Sequence, residues 1–180
     1  MVYTTKELLE SGQTEYSIRN SIKNGSLFLI EHGMYSDEPN PLKDEIYMCK
    51  KYPHAILTGF SAFYFHDLTD FIPEKFYFAT EQHSFPIRKD DVVQSYQDES
   101  TLFVGANKVQ YDDGFVKVYD LERTLIELIR YKDKYPADLY YDVLRTFRRR
   151  RDELDFFKVN EYARHFKNGS KILERIMDAI

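Results

Sequence analysis

The sequence predicts an α+β protein. A small N-terminal winged helix-turn-helix occupies residues 1–38, and a larger domain, residues 42–180, packs several helices on a β-sheet. Three observations carry this expectation. Two short helical segments are followed by an apolar run that turns back on itself at His32-Gly33. Asp37-Glu38-Pro39-Asn40-Pro41 is turn-rich and cannot continue a strand. Beyond it, short β-rich runs come first and amphipathic helices last, the pattern of a sheet covered by helices.

Thr5-Lys6-Glu7-Leu8-Leu9-Glu10 reads as a short helical turn that stops at Gly12. A second helix starts at Thr14, a good N-cap, and its Ile18 and Ile22 lie one turn apart on the inward face. Asn24-Gly25 ends it, because glycine suits the left-handed position past a helix C-terminus. Leu27 to Ile30 is strand-like, His32-Gly33 makes a tight turn, and Met34-Tyr35 starts the return strand of a two-stranded wing. Helix, turn, helix and hairpin is a common way to place a helix in the DNA major groove. With Ile18 and Ile22 inside, Glu15, Tyr16, Arg19, Asn20 and Lys23 are left for the groove. Thr14, Ser17 and the wing residue His32 complete the expected DNA-contacting set. Arg19 suits guanine and Asn20 adenine, each bidentate pair being worth ~1–3 kcal/mol.

After the linker, Leu42 to Lys51 reads as a helix with Asn40 as N-cap and Pro41 in the first helical position, stopped by Pro53. His54 to Thr58 is a short buried strand and Ser61 to His66 a compact helix. Phe76 to Thr80 is β-rich, and Val92 to Tyr96 and Thr101 to Val104 are weaker strand candidates. Lys108 to Tyr111 and Phe115 to Tyr119 flank Asp112-Asp113-Gly114, a hairpin signal. Asp120 caps a helix running to about Tyr131, with Leu121, Leu125, Leu128 and Ile129 on its stripe. Helices near 136–151, 155–166 and 170–179 follow, the first with the stripe Tyr140/Val143/Leu144/Phe147.

Composition narrows the function classes. The chain has 15 Tyr, 14 Phe and one cysteine, Cys49. The aromatic content argues against disorder. A lone cysteine excludes an internal disulfide and points to the cytoplasm. No run reaches the ~18 apolar residues of a membrane helix. Lys6, Glu7 and Glu10 interrupt any signal-peptide core. Net charge is −5, unevenly spread: residues 1–114 hold 10 Lys and Arg against 18 Asp and Glu, residues 115–180 hold 15 against 12. The reading head therefore looks electrostatically poor, with Arg19 and Lys23 beside Glu7, Glu10, Glu15 and Glu31, whereas DNA affinity comes mainly from phosphate neutralisation.

Enzyme and metal chemistry find little support, and neither a catalytic residue nor a cofactor is expected. Gly25-Ser26 lacks the Asp-x-Asp that a nucleotidyltransferase needs to hold its ions. Glu74-Lys75 has the wrong spacing for a nuclease Glu-x-Lys. The five histidines are scattered; His66 with Asp70 and Glu161 with His165 have helical spacing but no third ligand nearby. Ser61 and His66 are five apart and do not face each other on a helix. In Asp120-Leu121-Glu122-Arg123, Asp120 reads as an N-cap, Glu122 suits the helix dipole and Arg123 pairs inside the domain. Arg145, Arg148 and Arg149 fan outward from the Tyr140 stripe. They are either a solvated face, partly offset by Asp152, or a nucleic-acid or antitoxin patch that contacts phosphate.

The ordered set of segments resembles a known family. It comprises Leu29-Ile30-Glu31-His32-Gly33-Met34-Tyr35, Tyr52-Pro53-His54-Ala55-Ile56-Leu57-Thr58-Gly59-Phe60-Ser61-Ala62-Phe63, His66-Asp67-Leu68-Thr69-Asp70, Ile72-Pro73 and Val118-Tyr119-Asp120-Leu121-Glu122-Arg123-Thr124. Together these resemble the AbiEi antitoxins of bacterial abortive-infection toxin–antitoxin systems. The resemblance implies a cytoplasmic protein whose winged helix represses its own operon by binding inverted repeats of operator DNA, with a homodimer on DNA as one option. It implies that the larger domain carries antitoxin activity against a nucleotidyltransferase-like toxin, usually without a stable complex. A non-enzymatic interaction module, in which the helix-turn-helix docks a partner protein, is the alternative.

Overall fold

The computed structural model describes residues 1–180, and the architecture is α+β. Two compact units are present, Met1–Pro53 with Gln110–Val116, and His54–Val109 with Lys117–Ile180.

In the first unit, β1 (Val2–Thr4), α1 (Thr5–Glu10), α2 (Glu15–Lys23), β2 (Phe28–Glu31), β3 (Met34–Ser36) and α3 (Glu45–Lys51) follow one another. The wing is three-stranded, not two-stranded: β1 pairs antiparallel with β3, which also pairs with β2. At three residues β1 is too short to show a period, and pairing with β3 is what makes it a strand. The β2–β3 register slips between Leu29 and Glu31, a bulge that leaves room for the His32-Gly33 turn. Leu8, Ile18 and Leu27 form a small buried cluster, with Tyr3, Ile22 and Tyr35 packed on it.

Two expectations change here. Helix α3 starts at Glu45, not Leu42, because the Asp44 carboxylate accepts the Tyr47 amide at 2.8 Å and serves as N-cap in place of Asn40. Leu42 itself is 78% exposed. The first unit also runs on to Pro53 instead of ending near Pro39–Pro41. The reason is chemical: α3 is tied back by Lys50 to Glu7 at 3.0 Å, by Lys51 to Glu31 at 2.5 Å, and by the Tyr47 hydroxyl donating to Glu31.

The second unit contains β4 (Ile56–Leu57), α4 (Gly59–Phe65), β5 (Phe76–Glu81), β6 (Val92–Gln97) and α5 (Glu99–Leu102). The hairpin strands β7 (Ala106–Tyr111) and β8 (Gly114–Tyr119) follow, their turn-side residues Gln110–Val116 being counted with the first unit, then α6 (Leu121–Arg130), α7 (Ala137–Arg149), α8 (Phe156–Ala163) and α9 (Gly169–Ala179). The sheet order is β6-β5-β4-β8-β7. It is mixed: β4 is antiparallel to β5 but parallel to β8, and β5 is parallel to β6. Thr101 to Val104 is not a strand. The Thr101 amide and hydroxyl both return to the Asp98 carbonyl, closing a helical turn, and Leu102 is buried with Ile56, Ala79 and Tyr119.

Helix α6 is the hub of this unit. Its residues from Glu122 to Ile129 are buried on every side. Leu125, Ile126, Leu128 and Ile129 enter the main core with residues of α4, α7, α8 and α9. Its polar residues are each satisfied. Asp120 caps the Arg123 amide at 2.9 Å and accepts the Tyr162 hydroxyl at 3.0 Å. Glu122 accepts the Asp155 amide at 2.9 Å, just ahead of α8. The Arg123 guanidinium donates to the Thr101 and Val104 carbonyls at 2.6 and 3.0 Å and stacks over Tyr119 and Phe166. Asp120-Leu121-Glu122-Arg123 thus joins α5, α6 and α8, as a capping role would require.

Candidate nucleic-acid interface

The presentation of α2 is built from reciprocal caps. The Thr4 hydroxyl accepts the Glu7 amide at 3.2 Å while Glu7 accepts the Thr4 amide at 2.7 Å, which fixes the start of α1. Thr14 and Ser17 exchange the same pair of bonds at the start of α2, at 3.1 and 2.9 Å. Gly12 adopts φ +90 in the turn between the two helices and Gly25 adopts φ +77 after the second, conformations that disfavour any side chain. Ile18 is buried under the helix.

Consequently Glu15, Tyr16, Arg19, Asn20 and Lys23 are all exposed. Asn20, Lys23 and Tyr16 use no side-chain atom in a hydrogen bond or ion pair within the chain. Arg19 meets Glu15 at 3.4 Å with both side chains about three-quarters exposed. Such a pair contributes only ~0.3–0.5 kcal/mol and is easily exchanged for a phosphate or a base edge. Thr14 and Ser17 are placed differently, since their hydroxyls are occupied by the cap; they position the helix. His32 is exposed at the tip of the wing.

Electrostatics in this unit differ from a simple charge count. Each acid counted against the reading head has a cation: Glu7 with Lys50, Glu10 with Lys6, Glu15 with Arg19 and Glu31 with Lys51. Burial pushes the Glu7 carboxyl up, but the Thr4 amide and Lys50 outweigh it and hold it below its ordinary value. The head is therefore locally neutralised, and two of the neutralising lysines come from α3. Sequence reasoning missed Lys50 and Lys51; their i+4 spacing from Ile46 and Tyr47 on an amphipathic helix was the available signal.

The arginine run in the second unit divides by function. Arg145, Arg148 and Arg149 are exposed. Arg148 donates from Nε to the Ala179 carbonyl at 2.6 Å, anchoring the end of α9, and Arg149 donates to the Thr146 hydroxyl at 3.0 Å. Arg145 lies 3.9 Å from Asp142, too far for a strong bond. Arg150 is structural, gripping Glu153 through two bonds and the His66 carbonyl at 2.6 Å. The structure thus leaves Arg145 freest.

Residues that suggest catalysis are used as scaffold. The Ser61 hydroxyl accepts the Tyr77 amide at 2.9 Å, and His66 Nε2 meets the Tyr119 carbonyl at 2.6 Å. No three His, Cys, Asp or Glu side chains converge as a metal site. No helix is long and apolar enough to cross a membrane. No family model matches the chain, and no curated protein matches it.

Proposed function

We propose that this protein is a DNA-binding autorepressor and the antitoxin of a bacterial abortive-infection system, acting in the cytoplasm and without enzymatic activity of its own. One observation carries the DNA-binding reading. A helix-turn-helix with a three-stranded wing presents Tyr16, Arg19, Asn20 and Lys23 on one solvent-facing helix, none held by a strong internal bond. The antitoxin part rests on the resemblance of the ordered segments, with a nucleotidyltransferase-like toxin as functional partner. Binding to inverted repeats would recruit two copies, one per half-site.

The test is binding to the chain's own promoter fragment across a salt series. Specific binding should weaken with salt, Lys23→Ala should flatten the log–log slope by roughly 0.9, and Arg19→Ala should cost ~1–3 kcal/mol. Absence of any salt-dependent binding overturns the reading. A second reading has its own observation: Tyr16 is 75% and Leu29 56% exposed in the same small unit. Large apolar side chains of this kind suit a protein partner, and retained function with no DNA binding would favour that docking role.

A further inference from the structure

The first turn of α2 carries an acid on the face left for DNA. Glu15 is the first residue of the helix, and Arg19 follows one turn later on the same face. Their side chains are 76% and 74% exposed, and they meet through Glu15 Oε2 and Arg19 Nη2 at 3.4 Å. Glu15 Oε1 and the Arg19 Nε and Nη1 make no bond in the chain. The reciprocal bonds of Thr14 and Ser17 hold the backbone that bears Glu15, so the pair stands on a fixed helix end. In a helix-turn-helix the N-terminal residues of the second helix are the ones that reach base edges.

An acid at this position works against binding in general. It repels phosphates and lowers the affinity for any duplex, whatever its sequence. A first-turn carboxylate also suits the helix dipole, but Thr14 and Ser17 already secure this helix start. A contact to a base is what would turn the charge into selectivity.

The pattern of the pair names the base pair. In the major groove a G·C pair presents guanine N7 and O6 as acceptors and then the cytosine amino group as donor. An A·T pair presents acceptor, donor, acceptor. Arg19 and Glu15 side by side offer donor, donor, acceptor, the complement of G·C. Against A·T the Arg19 fork would meet the adenine amino group, and the Glu15 carboxylate would meet thymine O4.

We propose that the Glu15–Arg19 ion pair reads one G·C base pair of the operator half-site as a unit, with Arg19 on guanine N7 and O6 and Glu15 on the cytosine amino group. Glu15 is then a specificity residue. Its charge disfavours every duplex, and its hydrogen bond favours one base pair. The proposal rests on the DNA-binding reading above.

Selection of bound duplexes from a randomised DNA library tests it, with the full native chain and with Glu15→Ala and Arg19→Ala. The native chain should enrich a motif with a fixed G·C pair. Glu15→Ala should bind random duplex DNA more tightly, yet lose roughly tenfold of the preference at that pair. Arg19→Ala should relax the same base pair and weaken binding overall. A native motif without a fixed G·C pair overturns the proposal and leaves DNA binding in place. So does a motif that Glu15→Ala leaves unchanged, or one in which the two variants relax different positions. If the native chain enriches no motif at all, the DNA-binding reading fails together with this one.

Discussion

Arg123 and Glu127 meet at 2.9 Å, Nε to Oε1, one turn apart on α6, with both side chains sealed from solvent. A fully buried arginine is tolerated because each face of its guanidinium is occupied: a carboxylate, two carbonyls and two aromatic rings. Arg123→Met should therefore destabilise the second unit by about 3–5 kcal/mol, because it strands carbonyls and a carboxylate. Urea unfolding checks this, and a loss below about 1 kcal/mol would contradict the pairing as described. Arg123→Lys should rescue little, since lysine lacks the planar fork.

Gly105 adopts φ +73, its carbonyl accepts the Asp120 amide at 2.8 Å, and a Cβ there would lie 2.5 Å from the Arg123 Cβ. Backbone strain and overlap add at one site. Gly105→Ala should lower stability by more than the ~1 kcal/mol of a positive-φ substitution alone. Thermal melting of the variant against Gly12→Ala, which meets nothing within 4 Å, separates the two contributions.

His66 should give the fold a pH dependence. Burial holds its pKa below the ordinary histidine value, although the Tyr119 carbonyl opposes this. The unfolded chain thus binds a proton that the folded chain resists. Stability is full above about pH 6.5 and falls as the pH drops from there toward the lowered folded pKa. Melting temperature between pH 8 and 5 should decline more steeply for the native chain than for His66→Gln; parallel profiles would remove His66 as the cause.

Glu7 acts in the opposite range. Its lowered carboxyl pKa contributes stability that is present above about pH 4.3 and lost as the pH falls through the lower folded value. Lys50→Met should weaken the first unit by no more than about 1 kcal/mol, because the Glu7 side chain is well exposed. By the same chemistry, a peptide of residues 1–38 lacks Tyr47, Lys50 and Lys51 and should show little helix by circular dichroism. A folded 1–38 peptide would show that α3 is dispensable.

The arginine surface calls for a selective variant. Arg145→Gln with Arg149→Gln should keep the fold, whereas Arg148→Gln should loosen the end of α9 by removing its bond to Ala179. If the surface contacts phosphate, the double variant flattens the salt slope of promoter binding by about 0.9 per lost contact. An unchanged slope marks a solvated helix face.

Local chemistry made much of this protein legible in its sequence. The α+β class, the helix pair ending at Gly12 and Gly25, the Thr14 cap and the exposed Arg19, Asn20 and Lys23 all follow from interactions within a few residues. So do the hairpin around Asp112-Asp113 and the Asp120 cap of α6. The tertiary structure decided what depends on residues far apart in the chain. The strand Val2–Thr4 exists because β3 pairs with it, and Lys50 and Lys51 neutralise Glu7 and Glu31 from 43 and 20 positions away. Thr101 turns helical because a return to Asp98 buries Leu102 and offers the Thr101 carbonyl to Arg123. A cavity of about 440 Å³ lined by Thr58, Glu127 and Tyr135 among others likewise has no local signature. Spacing and propensity report only near neighbours, whereas pairing, charge neutralisation and cavities are set where distant segments meet.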